Sequence, residues 1–396
     1  MRRLPLEGVR VVDLTWAAAG PYCTFLLALL GAECIKVETA SRLGLDRKSI
    51  GLMAIPGMTP DVNANKRSLT LNLKHPQGRG LALRLCALSD MVVSNFRPGA
   101  LERLGLGYEA LRGVSPALVM VSISAHGLTG PERDGAGYAG VFAALGGAGY
   151  ITGYQEGPPV ELRLPIDIVC GTVAALAALA ALRQARETGR GQLVEVPNRE
   201  VVSSLLGEYL LDALINGREG ERAGNENPVM APHNVYPCQG KDEWLAIAVS
   251  TEQEWQALCQ ATGHREWLED PRFADPYGRW HHREELDRAL AAWCRGHTKE
   301  AAFHLLQRAG VPAGPSLGAR DLLKDPHLQE RGVFVQAATA EGKPFLMPGA
   351  PGVASHLPLQ VTRIPGVGED NAYVLGEVLG LTEGEIGELE RKGVVA

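Results

Sequence analysis

The alternation of short apolar runs with helical patterns over the first third of the chain most constrains its fold. The first run leads into the turn Ala17–Pro21, and Pro21 is well placed to begin a helix because its fixed φ suits the first helical position. Strands that alternate with helices in this way lie parallel in one sheet. The pattern therefore predicts an α/β fold with a mostly parallel sheet flanked by helices. The predicted strands are Val9–Leu14, Cys34–Val37, Leu69–Leu73, Met91–Val93 and Leu118–Ile123.

The middle of the chain predicts a second folding unit. A helix rich in small residues is predicted from Ile168 to Arg186, which suits close packing against a sheet or a second subunit. Residues 217–232 are polar and rich in Gly, Asn and Pro, as is typical of a linker. Five of the six tryptophans then fall between residues 240 and 300, so this segment is expected to have its own core.

Composition and charge argue against several classes of protein. The net charge is −6 with Lys and Arg dispersed among acids, which argues against a nucleic-acid partner. Seven widely spaced cysteines without a C-x-x-C pair argue against a zinc site and favour a reducing compartment. The most apolar stretch, Ile168–Leu182, is too short and too rich in Ala, Gly and Thr to predict a membrane span. A cytoplasmic protein without a metal site is expected.

Two familiar catalytic motifs are missing, and the first turn does not fit a nicotinamide dinucleotide site. The turn after the first predicted strand carries one glycine, whereas a nicotinamide dinucleotide site requires G-x-G-x-x-G. There is no Walker A motif and no H-E-x-x-H motif. His281 and His282 adjoin in a predicted charged helix, where neighbouring side chains diverge, so a solvated face is favoured over a metal site.

Asp167 is the candidate for chemistry. It lies in the apolar segment Leu164–Gly171, directly before the predicted long helix. An ionised carboxylate among apolar neighbours is costly unless it is paired or used. The local pattern leaves two interpretations open: Asp167 caps the helix, or it is a covalent nucleophile.

Two basic stretches follow predicted strands, where an α/β sheet usually binds its ligand. The first is Asn65–Arg67 together with Lys74, and the second is Asn95–Arg97 together with Arg103. Either stretch alone is more typical of a solvated loop, but the two together favour a phosphate-bearing ligand. Phe96 would in addition support an aromatic base.

Longer segments carry a family resemblance along nearly the whole chain. They are GVRVVDLTWAAAGPYCTFLLALLGAECIKVE from Gly8, NKRSLTLNLK from Asn65, SNFRPGALERLGLGYEAL from Ser94, SISAHGLTGPERDGAGY from Ser122, AGVPAGPS from Ala309, DPHLQERGVF from Asp325 and LGLTEGEI from Leu379. In sequence and in order, these segments resemble the family III CoA-transferases, the group that includes formyl-CoA transferase and carnitine CoA-transferase.

The resemblance implies that Asp167 is the nucleophile. In such enzymes the carboxylate attacks an acyl-CoA thioester, giving a mixed anhydride and CoA thiolate, and the thiolate then captures the aspartyl carbonyl as a thioester. The acceptor acid regenerates an anhydride, from which the new acyl-CoA is released. Because one thioester replaces another, CoA is a substrate, and no metal or permanently bound cofactor is needed. The apolar neighbours of Asp167 would help to exclude water.

The positional match also implies contacts with CoA. Lys74 and Arg103 would meet phosphates, and Phe96 and Leu71 would contact the nucleotide end. Gly171 would let backbone amides approach an oxyanion. The full set of expected CoA contacts is Trp16, Ala17, Ala18, Ala19, Leu71, Lys74, Asn95, Phe96, Arg103 and Tyr138.

The chain departs from formyl-CoA transferase around the expected acyl pocket. Trp16 and Ala18 stand where that enzyme has a histidine and a glutamine, and Ala139 stands where many relatives have an aspartate. The segment Asn225–Pro232 contains no counterpart of that enzyme's glycine-rich loop. Formyl-CoA and oxalate are therefore poor candidates for the substrates.

Arg163 suggests a different acyl group. In an extended segment, Arg163 and Asp167 would lie on the same face. We therefore hypothesise that Arg163 pairs with a carboxylate of a short-chain dicarboxylic acyl group, the alternative being a salt bridge or a capping role.

The resemblance further implies a Rossmann-like large domain built from both chain ends, with a smaller α+β domain between them. Residues 1–215 and 321–396 are expected to form the large domain, 216–232 a linker and 233–320 the small domain. The resemblance also implies an interlocked homodimer, an arrangement that sequence rules alone do not predict because true knots are rare.

Two alternative functions stay open. The related 2-methylacyl-CoA racemases pair this aspartate with a histidine, whose place is taken here by Tyr138, and a phenol titrates too high to act as an easy base. His126 lies nearby in the sequence, but at what is usually an aromatic turn position. A non-catalytic CoA-binding subunit of a hetero-oligomer is the other alternative, and the presence of Asp167 argues against it.

Overall fold

The chain divides into two compact units, each drawn from more than one segment of the sequence. The computed structural model describes residues 3–39, 62–162, 164–338, 342–357 and 359–396. The larger unit comprises Met1–Gly149, Glu161–Glu219 and Pro326–Ala396, and the smaller unit comprises Tyr150–Val160 and Gly220–Asp325.

The described residues form α-helices of widely different lengths. They are α1 (Ala19–Leu29), α2 (Pro76–Ala87), α3 (Ala100–Arg103), α4 (Tyr108–Val114), α5 (Ala139–Leu145), α6 (Ala148–Ile151), α7 (Leu164–Thr188), α8 (Asn198–Ser204), α9 (Gly207–Asn216), α10 (Glu252–Thr262), α11 (Pro276–His281), α12 (Arg283–Arg295), α13 (Lys299–Ala309), α14 (Ala319–Leu322), α15 (Pro326–Glu330) and α16 (Glu383–Arg391). Two 3₁₀ turns (Arg265–Leu268 and Pro271–Phe273) and a π-helical turn (Tyr373–Val378) accompany them.

A six-stranded sheet forms the centre of the larger unit. Its strands are β1 (Arg10–Leu14), β2 (Glu33–Glu38), β3 (Arg67–Thr70), β4 (Met91–Ser94), β5 (Val119–Ser124) and β6 (Leu193–Pro197). They lie in the order β3-β2-β1-β4-β5-β6, and every neighbouring pair is parallel. This confirms the predicted α/β class. The apolar pattern does not predict β6, because this edge strand buries only its last two residues.

Both faces of this sheet are buried. Val11 and Val12, successive residues of β1, point into two different cores, as the period of a strand requires. One core contains residues of α1 and α7, and the other contains residues of α2, the π-helical turn and α16. The strand order reverses between β1 and β4, and a doubly wound sheet binds its ligand at such a switch point.

The predicted position of Asp167 ahead of the long helix is wrong. The helix begins at Leu164, so Asp167 lies in its first turn and not ahead of it. Pro165 fits this first turn because an amide proton there has no partner within the helix anyway. The capping interpretation of Asp167 is therefore wrong.

Helix α7 is also apolar over most of its length. By length and composition alone, segment Pro165–Thr188 could cross a membrane. Many of its small residues are nevertheless buried in the core of the larger unit, as expected for a helix that packs closely in a globular protein. They include Ala174, Ala178, Ala181 and Ala185.

The smaller unit is built on an antiparallel sheet. Its strands are β7 (His233–Pro237), β8 (Trp244–Ala248) and β9 (Ala313–Pro315), in that order across the sheet. Trp255, Trp267 and Phe273 are buried together, and the two indole rings stack with centroids 5.7 Å apart. The tryptophan-rich segment thus forms a core of its own.

A C-terminal hairpin belongs to the larger unit. Its strands are β10 (Phe334–Ala338) and β11 (Pro344–Pro348). The chain after this hairpin is tied to the basic stretch at Asn65, whose side-chain amide donates to the carbonyl of Gln360 at 2.7 Å and accepts from the amide of Thr362 at 2.7 Å. The side chain of Asn65 therefore holds the C-terminal segment.

Candidate active site

The turn after β1 is clamped to the end of β4. The backbone N–H of Trp16 donates to Oδ1 of Asn95 at 2.9 Å, and Nδ2 of Asn95 donates to the carbonyl of Trp16 at 2.7 Å. The next residue, Ala17, has a φ of +60°, a left-handed conformation that costs energy for a residue with a Cβ. The side chain of Asn95 thus holds a strained turn at the switch point of the sheet.

Helix α7 approaches this turn closely at Gly171. A Cβ atom at Gly171 would lie 2.5 Å from the carbonyl oxygen of Ala19, so a larger residue would push α7 away from α1. Asp167 precedes Gly171 by four residues and therefore lies on the same face of the helix. Gly171 thus allows close packing of α7 on the start of α1. Its expected role in letting backbone amides approach an oxyanion stays a prediction.

Asp167 borders a cavity of about 230 Å³. The cavity wall also contains seven of the residues that were predicted to meet CoA: Trp16, Ala17, Ala18, Ala19, Asn95, Phe96 and Tyr138. The ring of Tyr138 meets that of Trp16 edge-on, with centroids 6.2 Å apart. Residues from the ends of β1 and β4, from the start of α5 and from α7 therefore converge on one space.

The Asp167 carboxyl group is half-buried and free. Burial raises its pKa from 3.8 to about 6. Within the described residues, it makes no hydrogen bond or ion pair. At neutral pH the group is therefore mostly ionised, poorly solvated and unshielded by a donor, which are the conditions under which a carboxylate attacks a carbonyl carbon most readily.

A second cavity, of about 410 Å³, adjoins the first. Trp16, Phe96 and Arg97 border both, so the two spaces meet at the ends of β1 and β4. The exposed side chains of Lys74 and Arg103 lie on the wall of the second cavity, and their contacts with phosphate stay a prediction. The larger space is therefore lined by three cations and two aromatic rings.

Leu71 lies elsewhere than predicted. Its side chain is only 1% exposed and belongs to the hydrophobic core beneath the sheet. It borders a third cavity, of about 240 Å³, together with Lys74 and the C-terminal residues Gly393–Ala396. The leucine is buried because it directly follows β3 and continues the apolar alternation of Leu69.

Lys66 and Arg67 of the first basic stretch are engaged elsewhere and are not free for phosphate. Lys66 is completely buried, and its ammonium group donates to Oδ2 of Asp13 at 2.9 Å and to Oδ1 of Asn63 at 3.0 Å. Arg67 forms ion pairs with Glu33 and Asp370, each at 2.9 Å. Both cations are therefore engaged within the protein.

Asp13 and Lys66 form the centre of a buried network beneath the Trp16–Ala19 turn. Burial alone would raise the pKa of Asp13, but Lys66, Lys36 and hydrogen bonds from hydroxyl groups outweigh it and hold the pKa well below its usual range. The ammonium group of Lys36 donates to the carbonyl of Thr15 at 2.8 Å. The network thus supports the backbone that leads into the turn.

Three polar residues of the first cavity were not predicted. They are Ser124, Arg133 and Asn198. Ser124 ends β5, and Asn198 directly follows β6. Because the carboxyl ends of parallel strands meet at one edge of a sheet, correct prediction of β6 would have pointed to Asn198. Arg133 lies in a loop, which no periodic pattern predicts.

Two other candidates, His126 and Arg163, are not among the described residues that border this cavity. His126 does not border the cavity of Asp167; a Cβ at Gly135 would lie 2.8 Å from its ring. Arg163 lies outside the described residues, and the shared-face argument for it fails because residues from 164 onward are helical and not extended. The racemase alternative thus loses the nearby histidine that it would require.

Comparison with known proteins agrees with this geometry. The family model "CoA-transferase family III" matches residues 6–371. The succinyl-CoA–D-citramalate CoA-transferase of Chloroflexus aurantiacus is 37% identical over 99% of this chain and 98% of its own. The succinate–glutarate CoA-transferase of Agrobacterium fabrum is 32% identical over 95% and 96%.

Solved structures agree as well. A crystal structure of a CAIB/BAIF family protein from Brucella suis is 30% identical and superposes with a TM-score of 0.85, covering 95% of this chain and 100% of the other. Three findings point to one family: a family model that spans nearly the whole chain, relatives of nearly equal length, and a solved structure with the same fold. The chain therefore belongs to CoA-transferase family III, and it is a CoA-transferase.

Proposed function

We propose that Asp167 is the covalent nucleophile of this CoA-transferase and that the acid it serves is a dicarboxylic acid. The observation that carries the proposal is a half-buried carboxylate without a partner among the described residues, in a cavity that meets a larger cationic one. A carboxylate held this way gains in reactivity from desolvation and from positioning.

In the first half-reaction, a carboxylate oxygen of Asp167 attacks the thioester carbonyl. The C–S bond breaks, leaving an acyl–aspartyl anhydride and CoA thiolate. The thiolate attacks the aspartyl carbonyl and expels the donor acid as its carboxylate, so that Asp167 now carries CoA as a thioester. The acceptor carboxylate and the thiolate then repeat these two steps in reverse, and Asp167 is restored without any net change in charge or redox state.

Trapping the intermediates tests the nucleophile. The protein is incubated with succinyl-CoA and treated with hydroxylamine or borohydride, and the modified peptide is identified by mass spectrometry. Modification at Asp167 is the expected result. Modification at another residue, with Asp167 unmodified, would overturn the mechanism.

We place CoA along the two adjoining cavities, with its thiol end beside Asp167. Lys74 and Arg103 meet its phosphates, joined by Arg97 where the cavities meet. Phe96 packs on the ligand at the same junction. The remaining contacts are made by the turn Trp16–Ala19, by Asn95 through that turn and by Tyr138; Leu71 contributes only from within the core.

The dicarboxylic preference rests on Arg133. Its side chain borders the cavity of Asp167, and its ion pair with neighbouring Asp134 is an exposed contact of 3.5 Å, which is weak. A guanidinium in this place can bind the distal carboxylate of an acyl group joined to Asp167. The names of three relatives, which specify succinyl-CoA or succinate with citramalate, malate or glutarate, support an acid of this class.

Arg133→Gln is expected to raise the KM for succinyl-CoA about 10- to 100-fold, because the distal carboxylate loses a charge-assisted partner. The KM for butyryl-CoA, which lacks that carboxylate, is expected to change less than about twofold. Arg112→Gln, the same substitution at an exposed arginine of α4, is the matched control. Equal effects on both acyl-CoAs would contradict the assignment.

We propose that the enzyme is the interlocked homodimer that the family resemblance implies. Helix α9 buries none of its residues in the single chain. Four of its large apolar side chains are each more than half exposed: Leu210, Leu211, Leu214 and Ile215. An apolar surface of this kind marks an interface. Light scattering on the purified protein is expected to give the mass of two chains of 42.3 kDa. A mass of one chain, or activity only with a different partner chain, would overturn this proposal.

We also propose a cytoplasmic location. All seven cysteines lie within the described residues, and all are buried free thiols. Free thiols persist where glutathione and thioredoxin keep the compartment reducing.

A further inference from the structure

Arg133 and Tyr138 reach the cavity of Asp167 from one loop. The loop spans residues 125–138, between the end of β5 and the start of α5. Residue Ala125 and residues 135–137 of the same loop also border the cavity. The loop therefore forms one side of the site in which we place the acyl group.

Burial of apolar side chains does not hold the middle of this loop. Residues 129–136 are all exposed. Apolar burial is the main term that opposes the conformational entropy of a chain segment. The position of Arg133 therefore depends on the polar contacts that the loop makes.

Backbone groups tie the start of the loop to β6 and α8. The backbone N–H of Leu128 donates to the carboxylate of Glu195 on β6. The carbonyl of Ala125 accepts from the backbone N–H of Arg199 on α8 at 3.1 Å. Both contacts lie at least five residues before Arg133, so they fix the base of the loop and not the arginine itself.

An ion pair anchors the loop directly beside Arg133. The guanidinium group of Arg199 pairs with the carboxylate of Glu132, the residue before Arg133. Arg199 stands in the first turn of α8, whose residues Val201 and Val202 are buried in the core. The pair therefore links the loop to a helix that is fixed by packing.

The same pair limits the competition for Arg133 by neighbouring acids. Glu132 and Asp134 flank the arginine on its two sides. Glu132 is engaged by Arg199, and the contact of Asp134 with Arg133 is exposed and 3.5 Å long, so it is weak. The guanidinium group of Arg133 is thus left available to an anion in the cavity.

We infer that Arg199 and Glu132 are positioning residues: their ion pair holds Arg133 in place and so sets the preference of this enzyme for an acyl group with a second carboxylate. The inference deepens the proposed function and rests on the assignment of Arg133 made there. An exposed ion pair adds little to the stability of a whole protein, but a small displacement of a group that binds the substrate costs much of its effect.

Removal of the pair is expected to change acyl selectivity and not stability. Arg199→Gln is expected to raise the KM for succinyl-CoA about 3- to 10-fold and the KM for butyryl-CoA less than about twofold. Its melting temperature is expected to stay within about 3 °C of the wild type. Arg183→Gln, which removes an arginine from an exposed ion pair with Glu187 on α7, is the matched control and should change neither KM.

Exchange of the two charges separates positioning from a local disturbance. The double variant Glu132→Arg/Arg199→Glu restores the attraction in reverse, and its KM for succinyl-CoA is expected to return to within about twofold of the wild type. If this variant does not fold, Glu132→Gln/Arg199→Gln replaces it. Two residues that act as one pair make this double variant no worse than Arg199→Gln alone, whereas independent roles would multiply.

Three results would overturn the inference. They are a rise below about twofold in the KM of Arg199→Gln for succinyl-CoA, an equal rise for butyryl-CoA, and a double variant that shows independent roles. Arg133→Gln is measured alongside. A selective effect in Arg133→Gln with none in Arg199→Gln rejects the ion pair as a positioning device and leaves the binding of the distal carboxylate standing. Equal effects on both acyl-CoAs in Arg133→Gln reject that binding itself.

Discussion

Replacing Asp167 with asparagine is expected to lower the turnover of CoA transfer at least about 10⁴-fold. The amide has nearly the size of the carboxyl group, but it cannot form an anhydride with the acyl group. Turnover is measured with succinyl-CoA and a panel of dicarboxylic acids, and covalent trapping on the same peptide is expected to disappear.

The same variant is expected to be more stable than the wild type at pH 8. The ordinary pKa of this carboxyl group is 3.8 and its pKa in the folded protein is about 6, so ionisation opposes folding. The penalty is absent below pH 3.8, grows as pH rises to about 6 and is complete above it. An amide escapes the penalty, which amounts to about 3 kcal/mol for a shift of this size.

Urea unfolding at pH 4 and pH 8 measures this difference. The free energy of unfolding of Asp167→Asn is expected to exceed that of the wild type at pH 8 and to match it more closely at pH 4. Glu109→Gln, which removes an equal charge from an exposed position, serves as the control and should change neither activity nor stability appreciably. Residual turnover within tenfold of the wild type would rule out Asp167 as the nucleophile.

Lys66→Met is expected to lower the free energy of unfolding by about 3–5 kcal/mol, because it leaves the carboxylate of Asp13 buried without its partner. The ion pair is completely buried, and the pKa of Asp13 is held below its usual range, so the carboxylate stabilises the fold at neutral pH. That contribution is lost as pH falls below the ordinary pKa of 3.8. Transfer activity should fall as well, because the network supports the Trp16–Ala19 turn.

Two further variants separate the contribution of the Asp13–Lys66 ion pair from the loss of a lysine as such. Lys392→Met removes a lysine from an exposed pair with Glu388 on α16, and a change below about 1 kcal/mol is expected. The double variant Asp13→Asn/Lys66→Met is expected to recover part of the loss, because no buried carboxylate is then left without Lys66. A loss below about 1 kcal/mol in Lys66→Met alone would show that the pair contributes little.

The location of the site could be predicted from the sequence to a large extent. Apolar runs alternating with helical patterns imply parallel strands, and parallel strands bring their carboxyl ends to one edge. Trp16 and Phe96 each follow such a run, and the structure brings both to one cavity wall. At Asp167 the local pattern left a helix cap and a nucleophile both open, and the family resemblance favoured the nucleophile that we propose.

The sequence by itself therefore determined the α/β class and the edge of the sheet where the site lies, because both follow from strand polarity and apolar periodicity. Only the tertiary structure decided which of the similar residues are available to a ligand. Lys66 and Lys74 are both cations near β3, yet the first is buried against Asp13 and the second faces a cavity. Asn198 and Asp167, distant in the chain, border one cavity only because α8 packs on α7. Burial and long-range packing depend on the whole fold, and no local pattern encodes them.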